Sequence, residues 1–189
     1  MTDCIVFDFD FTIAKTVENI WVWSPRGCNT YNNKTYYPIH PQELSNIGIG
    51  DDETINNDSF TEFYDINLDK TIIIKPVIIN LAYYTNFLNI HVQILSARPN
   101  NVKNKIFHLL DINGINTKNI SFTGLSNSFA EAKIQYINNI LLQDSENLII
   151  YEDSIRVLEL AHKAFNFKTK LECVLVKHNQ NNIILNYNV

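Results

Sequence analysis

Apolar positions in this chain fall into short runs, set apart by longer stretches in which they recur at helical spacing. The runs at 4–8, 91–95, 120–122, 148–151 and 171–176 are rich in Ile, Leu and Val and too short for helices, so they predict strands. The stretches at 77–88, 100–111, 129–142 and 155–165 have the helical period. Alternation of this kind predicts βαβ units, hence a mostly parallel sheet with helices on both faces. Local signals mark the boundaries. Pro99 suits a first helical turn, and Asn113-Gly114 supplies a left-handed residue to end the helix before it. Ser128 with Glu131 forms a capping box for the helix at 129–142, and Ser154 is placed to cap the helix at 155–165.

Residues 16–70 break the pattern. They are rich in Asn, Asp, Tyr and Pro, without sustained periodicity. A loop of that length within a compact domain is functional or mobile, so it is expected to be a small cap or lid inserted after the first strand. Trp21, Trp23, Tyr31, Tyr36 and Tyr37 cluster in it, and they either glue the insertion to the core or stack on a ligand. The whole chain, 1–189, is expected to be one domain carrying this insertion.

Composition narrows the functional classes. Apolar content of 46% is normal for a globular protein. No apolar run is long enough to span a bilayer and none has the form of a signal peptide, so a soluble, cytoplasmic protein is expected. Cys4, Cys28 and Cys173 are far apart and in no metal-type spacing, which argues against a disulfide framework or zinc site and for a reducing compartment. A net charge of -5 disfavours binding along extended duplex, which depends on displacing counterions with Lys and Arg. It leaves open a nucleic-acid end or a phosphorylated small molecule. The abundance of Asn and Ile fits an AT-rich coding genome, as in some viruses.

Chemistry enters at Asp8-Phe9-Asp10-Phe11-Thr12, directly after the run Ile5-Val6-Phe7. Carboxylates at the end of a buried strand are costly to keep there, and Asp8 and Asp10 share a strand face, so they can converge on one cation or phosphate. The plainer reading is a turn that ends the strand, with Thr12 capping a helix. Three further features follow apolar runs or sit early in a helix: Ser96 with Ala97 and Arg98, Lys133, and the pair Glu152-Asp153. Asp8, Ser96 and Asp153 each close a predicted parallel strand, and ligands of open α/β sheets bind at those ends. Arg98 is placed either to grip a substrate phosphate or ribose, or to form a salt bridge with Glu152 or another carboxylate.

The four elements, D-F-D-F-T, S-A-R, Lys133 and Y-E-D-S, resemble in kind and order the motifs of haloacid dehalogenase (HAD) superfamily phosphatases. S-A-R also resembles the phosphatase domains of nucleic-acid end-repair enzymes, although Ser154 stands where those have Arg. The resemblance implies a Rossmannoid three-layer sandwich with a small cap after the first strand. It implies a Mg²⁺-dependent phosphatase in which Asp8 is the nucleophile and Asp10 the general acid and base. Asp8 and Asp153 would bind Mg²⁺ by side chains and Asp10 by its carbonyl, with Glu152 orienting water or pairing with Lys133. Ser96, Ala97 and Arg98 would hold the substrate phosphate, Lys133 would offset charge in the transition state, and Thr12 would fix the turn. Phosphate monoesters of nucleotides or nucleic-acid 3′ ends are the expected substrates. A binding module without turnover and a phosphotransferase are the alternatives.

Overall fold

The computed structural model describes residues 3–41, 49–126, 130–141, 147–165, 170–179 and 182–187. The chain divides into two compact units, Thr16–Thr71 and the remainder, Met1–Lys15 with Ile72–Val189.

The larger unit is built on a six-stranded sheet. Its strands are β1 (Asp3–Phe7), β7 (Val92–Ser96), β8 (Ile120–Gly124), β9 (Asn147–Glu152), β10 (Lys170–Asn179) and β11 (Asn182–Tyr187), in the order β11-β10-β9-β1-β7-β8. The five from β10 to β8 are all parallel, and β11 pairs antiparallel with β10. This is an α/β fold, as the alternation of strand and helix periods predicts. Strands β7 and β8 build out on one side of β1 and β9 and β10 on the other, so the order reverses at β1, where such sheets leave a crevice.

Both faces of the central strands are buried, which is why they read as continuous apolar runs. Val6, Leu148, Ile150, Cys173 and Leu175 form one face and pack with Leu158, Ala161 and Phe165 of the helix Ile155–Phe165. On the other face Phe7 stacks on Tyr151 at 4.1 Å between ring centroids, with Tyr84 edge-on to Phe7 at 6.3 Å. Cys173 is buried in the core and Cys4 packs against it, and burial pushes both thiols up to about 11. Small apolar residues are what these cysteines are here.

Among the described residues the longer α-helices are α1 (Lys75–Ala82), α2 (Lys103–Ile112), α3 (Ala130–Tyr136) and α4 (Ile155–Phe165). Helix α1 starts two residues earlier than its periodicity predicts because Pro76 is tolerated in the first turn, and it runs on as a wider π turn over Tyr83–Phe87. Pro99 lies one residue before a short 3-10 turn, Asn100–Val102, that leads into α2. Gly114 ends α2 with φ +78°, a conformation cheap only for glycine. The Ser154 carbonyl accepts from Leu158 N–H and opens α4. Ser128 and its capping box lie outside the described residues. No helix of the described residues is long and apolar enough to cross a membrane.

The smaller unit is regular where periodicity predicts none. Strands β3 (Ile20–Trp23), β4 (Asn29–Tyr31) and β5 (Lys34–Ile39) form an antiparallel sheet in the order β3-β5-β4. Ile20, Val22, Ile39 and Phe63 form its core. Trp21 stacks on Tyr36 at 4.4 Å, and Trp23 and Tyr31 complete the group. The indole N–H of Trp21 donates to Glu62 and that of Trp23 to Asn56. Tyr37 instead donates its hydroxyl to Glu53. The four rings therefore pack on one another, and the two indoles bond within their own unit.

Candidate active site

Strand β1 carries Asp8 to the carboxyl edge of the sheet. Its ladder with β9 runs to Phe7↔Tyr151, and Asp8 N–H still donates to the Tyr151 carbonyl at 2.9 Å. The backbone then turns. Ile13 and Ala14 N–H groups both donate to the Phe9 carbonyl, and Phe11 N–H donates to the Ala14 carbonyl. Phe11 adopts φ 59°, a left-handed conformation that costs a non-glycine residue about 1–3 kcal/mol. The turn feeds strand β2 (Ala14–Lys15), which pairs with β6 (Ile72–Ile73). Thr12 thus precedes a strand and caps no helix. Its side chain is fully buried, and its hydroxyl oxygen has no hydrogen-bond partner among the described residues.

Three of the four acidic residues of the sequence pattern gather in one cluster; Asp10, expected to share a strand face with Asp8, lies beyond the end of β1 at Phe7 and is held by Arg98 instead. Asp8, Glu152 and Asp153 each bring a carboxylate oxygen within 4.8 Å of the others. Lys133, buried on α3, reaches into this group and donates from Nζ to Asp8 Oδ1 at 2.6 Å and to Glu152 Oε2 at 2.8 Å. Glu152 therefore pairs with Lys133, and its other oxygen accepts from Ser154 N–H at 3.3 Å.

One ammonium cannot neutralise two buried carboxylates. Burial pushes Asp8 up to about 7, the charge of Glu152 adds to the rise, and Lys133 opposes it. Burial also pushes Glu152 up to about 7, with Lys133 opposing and Asp153 adding. Burial pulls Lys133 down, but Asp8 and Glu152 outweigh it, so its ammonium is held well above the ordinary lysine range. The cluster is short of positive charge.

The donor set fits a hard divalent cation, being all oxygen and anionic. Asp8, Glu152 and Asp153 are the residues that could hold the ion, with Lys133 bracing Asp8 and Glu152.

Strand β7 delivers the third element. Ser96 and Arg98 are fully buried, while Ala97 between them is partly exposed. Ser96 Oγ accepts from Arg98 N–H at 3.1 Å, which leaves the hydroxyl proton to donate elsewhere. Of the two roles the sequence left to Arg98, the structure displays the salt bridge. Its guanidinium grips Asp10, with Nη2 at 2.8 Å from Oδ1 and Nε at 2.9 Å from Oδ2.

Sequence reasoning overlooked Gly124, which closes β8 beside Ser96. A Cβ there would lie 2.3 Å from the Arg98 carbonyl oxygen, 2.5 Å from Pro99 C and 2.7 Å from Asn100 N. All three are backbone atoms. A glycine just after a strand-like run is the signal that could have revealed this close approach. Gly124→Ala is expected to cost about 1–3 kcal/mol by overpacking, read as a lower midpoint in thermal or urea denaturation. An unchanged midpoint would show that the Arg98 loop yields freely.

No protein-family model, curated protein or solved structure matches this chain.

Proposed function

We propose that the chain is a Mg²⁺-dependent phosphatase of HAD type, acting on a phosphate monoester through an aspartyl-phosphate intermediate. One observation carries the reading. A buried lysine bridges two buried carboxylates, with a third beside them, at the carboxyl ends of parallel strands. A purely structural ion pair needs one carboxylate per lysine, and surplus buried charge is a cost that a fold bears for chemistry. The orphaned Thr12 hydroxyl in the same turn as Asp8 and Asp10 is a further unmet polar demand.

In this mechanism an Asp8 oxygen attacks phosphorus, forming the O–P bond as the ester P–O bond breaks. Asp10 gives its proton to the departing oxygen, then takes one from the water that releases inorganic phosphate from Asp8. Lys133 holds Asp8 in place and offsets charge on the phosphoryl group, and the Ser96 hydroxyl and nearby backbone N–H groups hold its oxygens. By the motif likeness, Asp8, Asp153 and the Asp10 carbonyl would hold the ion, which would supply positive charge against the repulsion between a dianionic ester and a carboxylate.

Charge distribution bears on the substrate. Residues 16–71 hold nine of the chain's twenty acidic residues and three of its fifteen basic ones. That insertion repels a long polyanion, which favours a phosphorylated small molecule or a short nucleic-acid end over extended duplex.

The test is release of inorganic phosphate from nitrophenyl phosphate, with and without EDTA and with Mg²⁺ restored. EDTA is expected to abolish turnover and Mg²⁺ to recover it. Turnover indifferent to EDTA would remove the ion from the mechanism. No release from any member of a phosphate ester panel would leave a binding module.

A further inference from the structure

Helix α1 and the π turn that continues it bury Val77, Leu81 and Thr85. A surface helix normally sets polar residues on its opposite side. Here that side carries Ile79, 67% exposed, Tyr83, 52%, and Phe87, 80%, with Leu88 next to Phe87 at 45%. A step of four residues overshoots an α turn by about 40°. The wider π turn over Tyr83–Phe87 offsets that drift, so the three side chains keep to one row.

The row is held from behind. Tyr84, next to its centre, sets its hydroxyl 3.3 Å from that of Tyr151 and its ring edge-on to Phe7. The Asn86 amide donates to the Gly114 carbonyl at 2.7 Å, and Asn86 Oδ1 accepts from Asn116 N–H at 2.7 Å, which ties the π turn to the loop after α2. A surface fixed in this way loses little further freedom when something binds to it.

Charge and size together identify what covers the row. Residues 76–90 contain no Asp, Glu, Lys or Arg, so a partner selected by opposite charge has nothing to meet there. The same lack of cations, with a net charge of -5, disfavours an anionic lipid surface. A second uncharged row is what such a face fits, and another copy of the chain supplies one. Four large side chains exposed to this degree offer on the order of 500 Å² of apolar surface. Monomers rarely leave so large a contiguous patch uncovered, and with a polar rim it approaches the roughly 800 Å² per partner of a stable interface.

We propose that this face is a two-fold dimer interface, in which α1 and its π turn pack antiparallel against the same segment of a second copy. The row is symmetric about Tyr83. Antiparallel pairing therefore stacks Tyr83 on its own counterpart at the axis and sets Ile79 of one protomer against Phe87 of its partner. The interface stands apart from the phosphatase reading and does not depend on turnover.

Sedimentation equilibrium of the full chain over a wide concentration range tests it. The mass is expected to climb from 21.9 kDa towards twice that value and no further. High salt should favour the dimer, since it screens the net charge that both copies carry. Ile79→Lys and Phe87→Glu are each expected to weaken association at least about 10²-fold, because each sets a charge against an apolar side chain of the other copy. Combined in one chain they should restore it to within about tenfold of wild type, since antiparallel packing puts the new charges opposite one another. Ile140→Lys adds the same charge at an exposed residue elsewhere and should leave association unchanged. Melting curves check that each variant folds, and Tyr83→Asp, at the axis itself, carries the test if either of the first two does not. A wild type of 21.9 kDa at every concentration, a dimer indifferent to these substitutions, equal weakening by Ile140→Lys, or a double variant that stays monomeric would overturn the proposal. So would a monomer that floats with phosphatidylcholine vesicles, which would assign the row to a lipid surface.

Discussion

Asp8→Asn is expected to lower phosphate release by at least about 10³-fold, with the folded state intact. The asparagine is nearly isosteric and removes one of the surplus negative charges around Lys133, so stability should hold or rise. Its amide oxygen cannot displace an ester oxygen from phosphorus, and no covalent intermediate can form on it. The decrease should therefore fall on kcat more than on KM, since the groups that hold the phosphoryl oxygens remain. Steady-state kinetics alongside a melting curve measures both. A variant within tenfold of wild-type turnover would show that Asp8 is not the attacking group and that the carboxylate cluster serves another end. The proposal falls on Asp8 because its backbone N–H is held by the Tyr151 carbonyl just past the end of the β1–β9 ladder. No other carboxylate in the cluster combines that rigidity with a lysine 2.6 Å away.

The residues just named were legible in the sequence because apolar runs announce buried parallel strands, and anything charged at the end of such a run must be accommodated there. Ser96, Glu152 and Asp153 follow by the same rule from β7 and β9. Lys133 required position within a helix as well, and the structure places its ammonium on Asp8. Arg98 stayed divided between two partners, since a guanidinium suits a carboxylate and a phosphate equally and only the path of the loop decides. The insertion was opaque for a different reason. Strand β4 is exposed throughout and half of β5 is, with a single buried residue at its end, hence neither carries the alternation of a half-buried strand. A turn signal was present at Asn32-Asn33, where both residues take positive φ and close a two-residue hairpin between Tyr31 and Lys34. Strand β11 leaned on its antiparallel pairing with β10, a contact no local pattern encodes.

Lys133→Met is expected to be the most destabilising single change in the site, by about 3–5 kcal/mol near pH 8, because it strands buried Asp8 and Glu152 without their counter-charge. Methionine keeps most of the lysine stem's packing, so the loss reports charge and not a cavity. The loss should also depend on pH. Asp8 and Glu152 have folded values near 7, above their ordinary 3.8 and 4.5. A carboxyl raised on folding stabilises the native state fully below its unfolded value, and that stability drains away as pH climbs through the folded value. The metal-free wild type should accordingly lose stability from these two groups between about pH 4 and pH 7. In the variant, where no ammonium offsets the charges, the gap from wild type should be wider at pH 8 than at pH 5. Mg²⁺ should stabilise the wild type more at pH 8 than at pH 5, since an ion competes with a proton for the same oxygens. Urea denaturation of both proteins at the two pH values, with and without Mg²⁺, reads all of this. A gap that stays the same at both pH values would mean that Asp8 and Glu152 do not titrate in this range. In that case the crowding of like charge on which the phosphatase reading depends is relieved by some other partner in the native protein.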